Sequence, residues 1–147
     1  MSQSRNPQIC RTPSGAADLT PTTQVRIVDG MSMPSLADRT CVPCKGGVPP
    51  LTGAEIAPLL AHVDGWSAVD NHHLEKTYTL KNFAAALALV NQIGAIAEEQ
   101  NHHPDIFLAW GRVGVTIWTH KINGLTESDF IFAAKCDRAA KGGISEK

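Results

Sequence analysis

Apolar residues recur every three to four positions in three segments, which predicts three amphipathic helices. The first segment, "LTGAEIAPLLAHV" (51–63), carries Thr52 and Glu55 at capping-box spacing and ends before Gly65. The last begins in "LTESDFIFAAKCDRAA" (125–140), where Thr126 can cap the helix and Asp129 takes its third position.

The longest helix is predicted over "NFAAALALVNQIGAIAEEQ" (82–100), and it carries two apolar stripes. One stripe consists of Phe83, Leu87, Val90, Gly94 and Ala97. The other consists of Leu89, Ile93 and Ile96. A helix that is apolar on two sides is usually covered on two sides, so we expect one side to lie on a sheet and the other to meet another subunit.

Polar and apolar residues alternate in "WSAVDNHHLEKTYTL" (66–80) and "DIFLAWGRVGVTIWTH" (105–120), which predicts two β-hairpins. Asp70 and Asn71 are the expected turn of the first hairpin, and Gly111 and Arg112 that of the second. One face of the first hairpin should present Leu74, Lys76, Tyr78 and Leu80. One face of the second should present Val113, Val115, Ile117 and Thr119.

The order helix, two strands, helix, two strands, helix predicts an α+β fold (α-β-β-α-β-β-α), a four-stranded antiparallel sheet with three helices packed on one face. We assign this domain to residues 49–147. Residues 1–48 are rich in Ser, Thr, Pro and Gly without apolar periodicity, so we expect a disordered or irregular N-terminal extension.

Composition and net charge argue against some classes of function. The chain has 147 residues and a formal net charge of -1, which argues against a nucleic-acid partner. The absence of a long apolar run or a signal-peptide core argues against a membrane partner and indicates a cytoplasmic protein. The cysteines form no disulfide framework, and "CVPC" (41–44) lacks the further ligands of a zinc site. We leave open whether Cys41 and Cys44 are inert or bridge subunits.

Histidines supply the candidate chemistry. His102 and His103 follow the long helix directly before Pro104, where adjacent side chains point in different directions and should have different roles. We expect His120 to close the strand that runs back towards this corner. Two imidazoles facing one pocket, one protonated and one neutral, would form a general acid and a general base near neutral pH.

Simpler interpretations compete with this one. Histidines after a helix are often only exposed, and we interpret His62, His72 and His73 as solvated; capping alone would explain Asp129. A zinc ion among the histidines and Glu98 is a further alternative. Adjacent histidines chelate one ion poorly, however, and no H-E-x-x-H helix is present, so we predict no metal.

The segment "EEQNHHPDIFLAWGRVGVTIWTHKINGLTESDFIFA" (98–133) resembles the signature of the pterin-4a-carbinolamine dehydratases, also known as the dimerisation cofactor of a hepatocyte nuclear factor. That signature contains the motif N-H-H-P, with a glutamate four residues before its first histidine. An aromatic residue follows in the next strand, and after it come the motifs T-H and G-L-T/S-x-x-D. The upstream "GW" (65–66) and the helix that starts with Phe83 match too. The resemblance covers about residues 50–140.

The resemblance implies a cofactor-free dehydratase that converts 4a-hydroxytetrahydrobiopterin, or a related carbinolamine, to quinonoid dihydropterin for an aromatic amino acid hydroxylase. It implies that His102 and His120 are the acid–base pair and that His103 binds and orients the pterin. The remaining site residues that it implies are Glu98, Asn101, Trp118, Thr119, Lys121 and Asp129. Glu98 and Asp129 would orient histidines or contact the substrate.

Family members form dimers and tetramers through helix packing, so the resemblance also implies a homo-oligomer. Lys121 departs from the family, where an acidic residue is common, and this could change the charge of the pocket. Two other functions stay open: a non-catalytic binding or regulatory module that stabilises another protein's dimer, and a homologue that serves molybdopterin metabolism.

Overall fold

Three helices and four antiparallel strands follow one another in the predicted order, which confirms the α+β fold class. The structure is a computed structural model that describes residues 35–42 and 46–143. Its main elements are α1 (Gly53–Leu60), β1 (Ser67–Val69), β2 (His73–Thr79), α2 (Phe83–Gln100), β3 (Asp105–Ala109), β4 (Arg112–Ile117) and α3 (Glu127–Gly143). Two short 3-10 turns span Leu36–Asp38 and His120–Ile122.

The strands lie in the order β1-β2-β4-β3, so the two hairpins meet along β2 and β4. In that central pairing Leu74 lies opposite Ile117 and Tyr78 opposite Val113. All four of these side chains are buried under the helices, whereas Glu75 on the other face is exposed. The predicted inner face of each hairpin is therefore confirmed.

The first hairpin turns at Asp70 and Asn71, as predicted, and both residues adopt the left-handed conformation that these short polar side chains tolerate. The predicted second turn is wrong by one residue along the chain. The turn consists of Trp110 and Gly111, while Arg112 already pairs with Ala109 in the sheet. Gly111 has a φ of 69°, and a Cβ there would lie 2.9 Å from the Leu80 carbonyl oxygen, so glycine occupies the second turn position.

Helix α2 packs one of its two apolar sides on the sheet. Leu89 and Ile93 are buried there, together with Ala97, which the sequence pattern places on the other stripe. Phe83 and Leu87 remain 45% and 42% exposed. The part of the second stripe at Phe83 and Leu87 is therefore left partly uncovered by the described residues of this chain.

A buried carboxylate joins the helical layer to the first hairpin. Asp137 of α3 accepts hydrogen bonds from Trp66 Nε1 at 3.1 Å, Lys76 Nζ at 2.6 Å and Tyr78 Oη at 2.7 Å. These donors satisfy the buried charge and explain why Lys76 lies on the inner face. Burial raises the pKa of the Tyr78 phenol, and the hydrogen bond to Asp137 adds to the shift.

Residues 35–42, which fall within the predicted N-terminal extension, lie against α3; we call this segment the arm. Leu36, Ala37 and Cys41 are buried, and Lys135 Nζ of α3 donates to the Ala37 carbonyl at 3.0 Å. Cys44 and residues 1–34 lie outside the described residues.

The predicted capping box at the start of α1 is present, since the Thr52 amide and hydroxyl each donate to Glu55 Oε2 at 2.8 Å. We expect Thr52→Ala to lower the free energy of unfolding by about 1 kcal/mol because the helix loses its cap hydroxyl. Thr52→Ser keeps a hydroxyl and should stay close to wild type. Thermal unfolding of the three proteins measures the difference, and equal midpoints for all of them would contradict the prediction.

Candidate active site

A left-handed residue ends α2 directly before the two adjacent histidines. Asn101 has φ 52° and ψ 43°, and its amide bonds back to the Ala97 and Glu98 carbonyls. Asparagine tolerates this conformation better than most residues. The chain turns so that the His102 side chain points inward and is 15% exposed, whereas that of His103 is 56% exposed. The expectation that the two side chains diverge is confirmed.

A fully buried carboxylate fixes the His102 ring. Its Nε2 lies 2.6 Å from Asp129 Oδ1, and its ring packs edge-on against Phe132. Asp129 Oδ2 also accepts the Thr119 hydroxyl at 2.9 Å and the Thr126 amide at 2.7 Å. Asp129 therefore caps α3, as predicted, and also orients a histidine. Because a carboxylate only accepts, Nε2 of His102 is assigned the proton, and Nδ1 is the nitrogen left for another partner.

His103 pairs with the other predicted carboxylate. Its Nε2 lies 2.8 Å from Glu98 Oε1, and both side chains are largely exposed. Although Glu98 lies four residues before His102, the two do not pair. The left-handed turn at Asn101 takes His102 off the helical surface, so the next histidine comes to lie beside Glu98.

His120 approaches from the end of β4, although not as a strand residue. The strand ends at Ile117, and His120 begins the 3-10 turn that follows. The Thr119 amide donates to the Gly124 carbonyl at 2.9 Å and closes this turn at its base. The Trp118 ring packs edge-on against His120 with 4.3 Å between the ring centroids, which fixes the imidazole at one edge.

Three segments enclose a pocket of about 360 Å³. They are the arm at 41–42, the last residue of α2 with the three residues that follow it (100–103), and the segment after β4 at 118–121. The predicted residues that line it are Asn101, His102, His103, Trp118, Thr119, His120 and Lys121. Glu98 and Asp129 act behind the wall, on His103 and His102. The three candidate histidines therefore face one cavity.

Sequence reasoning missed some residues at this site. Cys41, Val42 and Gln100 also line the pocket. His72, interpreted as solvated, is half-buried beside Trp118, with 5.6 Å between the ring centroids, and its Nε2 is 3.0 Å from Asn123 Oδ1.

The register between β2 and β4 indicates that His72 lies near Trp118 and Thr119. Because Leu74 lies opposite Ile117, the residues before Leu74 must adjoin those after Ile117. Nothing in the sequence pattern places the arm at the pocket.

Within the described residues, no group of three or more His, Cys, Asp or Glu side chains is arranged to hold a metal ion. Over the same part of the chain, no helix combines the length and apolar character needed to cross a bilayer.

A family model described as pterin 4 alpha carbinolamine dehydratase matches residues 49–139. A Rubrobacter xylanophilus protein named "Putative pterin-4-alpha-carbinolamine dehydratase" is 58% identical over 106 residues, which are 72% of this chain and 99% of that protein. An Alkaliphilus metalliredigens protein of the same name is 48% identical over 107 residues, covering 72% of this chain and 96% of its own.

The crystal structure of a transcriptional coactivator/pterin dehydratase from Brucella melitensis is also similar. It superposes with a TM-score of 0.59 at 37% identity, covering 62% of this chain and 98% of that one. These matches show that the chain belongs to the pterin 4 alpha carbinolamine dehydratase family.

Proposed function

We propose that the protein dehydrates 4a-hydroxytetrahydrobiopterin, or a closely related pterin carbinolamine, to the quinonoid dihydropterin by histidine acid–base catalysis. The observation that carries the proposal is the meeting of His102, His103 and His120, from two separate segments, in one pocket. At about 360 Å³, the pocket is within the range of small-molecule sites. Family membership supports a pterin as its ligand.

The reaction needs two proton transfers and no change of oxidation state. An acid protonates the 4a-hydroxyl, so that the C–O bond breaks and its electron pair leaves with water. A base removes the proton of the adjacent ring nitrogen, and the N–H electron pair forms the new C=N bond. Two imidazoles on different sides of the pocket can act on the two positions of one flat substrate.

His102 and His120 share these proton transfers in our proposal. The Asp129 carboxylate holds His102 through Nε2 and stabilises the imidazolium whenever that ring is charged. The Nδ1 atom then exchanges the proton with the substrate. His120 is set by its contact with Trp118 and reaches the pocket from the segment after β4. The pair returns to its starting protonation state once the released water or solvent exchanges the proton.

The other lining residues bind and orient the pterin. His103, at the exposed rim and paired with Glu98, is placed to contact an edge of the substrate. Trp118 offers an aromatic surface, while Asn101 and Thr119 are polar groups on the two walls. Lys121 adds a positive charge to the wall where the family commonly carries an acidic residue, so it should favour substrates with an electron-rich or anionic edge.

The test is a coupled assay. A phenylalanine hydroxylase generates the carbinolamine, and dehydration is followed by absorbance with and without this protein. We expect the protein to accelerate dehydration in proportion to its concentration. A rate that stays at the spontaneous value would contradict the proposal. An aromatic amino acid hydroxylase is also the class of enzyme that would supply this substrate, and we place both in the cytoplasm.

A non-catalytic binding module is the second candidate function, because the similar Brucella melitensis protein is named a transcriptional coactivator as well as a pterin dehydratase. The exposed apolar side of α2 is the surface that such a role would use. Retained binding of pterin with no acceleration of dehydration would favour this alternative.

We propose that this side of α2 joins copies of the chain into a dimer or tetramer. Light scattering should give an oligomer for the wild type. We expect Leu87→Glu to raise the dissociation constant more than tenfold, because the Leu87 side chain, 42% exposed in the monomer, would be replaced by a charge at the interface.

Gln92→Glu is the matched control, since it adds the same charge at an exposed position on a different side of α2. It should leave the oligomer intact. A monomeric wild type, or equal masses for wild type and Leu87→Glu at all concentrations, would contradict this interface.

A further inference from the structure

One wall of the pocket comes from outside the segment that the family model matches. The matched segment starts at residue 49, yet Cys41 and Val42 of the arm line the pocket. Val42 is 70% exposed, although it is a large apolar residue. Because it lines the pocket, its exposed surface is available to contact a ligand there.

Two buried polar side chains fix this wall. The Cys41 amide donates to Gln100 Oε1 at 2.9 Å. The Ser128 hydroxyl accepts from the Val42 amide at 3.1 Å and lies 3.2 Å from the Val42 carbonyl. Gln100 and Ser128 are only 8% and 6% exposed. A hydrogen bond from a buried side chain to a backbone group is costly to leave unmade, so these contacts hold the arm in one position.

The same two residues adjoin the candidate acid–base network. Gln100 ends α2 two residues before His102, and Ser128 directly precedes Asp129. The arm is therefore held by the two elements that hold His102 in place, and the wall and the imidazole keep a fixed relative position.

The remainder of the arm is tied to α3. Lys135 bonds the Ala37 carbonyl, Arg138 pairs with Asp38 at 2.6 Å, and Arg39 pairs with Glu127. The exposed ion pairs are individually weak. Together with the burial of Leu36, they keep the arm on α3 up to the pocket.

We propose that Cys41 and Val42 form a substrate-contacting wall that contributes to pterin binding and takes no part in proton transfer. The inference rests on the proposed function of the same pocket. The Val42 isopropyl group can exchange no proton and packs well on a flat heterocycle. Gln100 and Ser128 are positioning residues for this wall, so removing their bonds should change affinity more than turnover.

The decisive comparison is Val42→Ala against Val48→Ala. Both valines are exposed, at 70% and 55%, but only Val42 lines the pocket. We expect Val42→Ala to raise KM for the carbinolamine about fivefold and to leave kcat within about twofold, because partial loss of an apolar contact lowers affinity without touching the chemistry. Calorimetric titration with a stable dihydropterin should show the same fivefold weakening. Val48→Ala should match wild type in both measurements.

Ser128→Ala tests whether the wall must be held in place. It should raise KM by a similar factor with little change in kcat. If Ser128 acts through the arm, adding Val42→Ala should raise KM by less than the product of the two single effects. A fall in kcat with unchanged KM would assign Ser128 to the Asp129 network instead and remove it from this proposal.

If the unmutated protein is active and Val42→Ala has the same affinity and KM, the inference is overturned and the proposed function stays intact. A tenfold fall in kcat for Val42→Ala at unchanged KM would overturn it too. A wild-type protein that neither dehydrates nor binds a pterin would overturn the proposed function, and the wall with it.

Discussion

Replacing His102 or His120 by alanine is expected to lower kcat for carbinolamine dehydration by about a hundredfold, the scale of a lost general acid or base. Each variant leaves one of the two proton transfers to water. The coupled hydroxylase assay at saturating substrate measures the change, after subtraction of the spontaneous rate. Binding of a stable dihydropterin should weaken far less than kcat falls, because the walls of the pocket remain.

His62→Ala is the matched control, since His62 is exposed just after α1 and does not line the pocket. It should keep wild-type kcat and KM. Wild-type rates in both His102→Ala and His120→Ala would remove histidine catalysis and favour the binding module.

The fold was predictable because its signals are local. Alternation in the two hairpins determines which side chains enter the core, and the buried series of Val113, Val115 and Ile117 follows from it directly. Capping boxes depend on residues three positions apart, so Thr52 and Glu55 suffice to place the start of α1. Such patterns need no knowledge of distant contacts.

Errors arose where backbone conformation decides the outcome. The second hairpin turn is set by Gly111, whose positive φ and close approach to Leu80 determine which two residues turn. Alternation continues through Thr119 and so predicts a strand up to His120, but the bridge between Thr119 and Gly124 ends the regular pairing. These differences are one and three residues long, yet they change the direction in which a side chain points.

Which residues form the site was easier to predict than which of them contact one another. The histidines stand out in the sequence. Which carboxylate each histidine pairs with, however, depends on the left-handed turn at Asn101. Because of that turn, His103 pairs with Glu98 and His102 pairs with Asp129. The arm at the pocket depends on long-range bonds to Gln100 and Ser128, which no local pattern indicates.

Asp129→Asn should show how much of the activity depends on the orientation of the His102 ring, since the histidine itself is kept. The amide keeps the shape of the side chain but loses the charge and offers a donor towards three groups that already donate: His102 Nε2–H, the Thr119 hydroxyl and the Thr126 amide. We expect kcat to fall about ten- to hundredfold, because the ring loses its fixed tautomer and the stabilisation of its charged form. We also expect the free energy of unfolding to fall by about 1–3 kcal/mol, since a buried donor is left without an acceptor.

Glu98→Gln makes the same chemical change at the other histidine and is the matched control. Both carboxylates lie within hydrogen-bonding distance of an imidazole, but the Asp129 side chain is fully buried, whereas that of Glu98 is 81% exposed. Solvent screens the exposed pair, and such pairs are worth little. We therefore expect Glu98→Gln to keep kcat within about threefold and to act mainly on KM.

A double variant decides whether Asp129 acts through His102. If it does, His102→Ala combined with Asp129→Asn should have nearly the kcat of His102→Ala alone, because the carboxylate no longer has a ring to orient. Assays well below the unfolding midpoint of each variant keep stability out of the comparison. Losses that multiply would mean that Asp129 contributes to the reaction independently of His102, and near wild-type kcat in Asp129→Asn would mean that the 2.6 Å contact serves the fold alone.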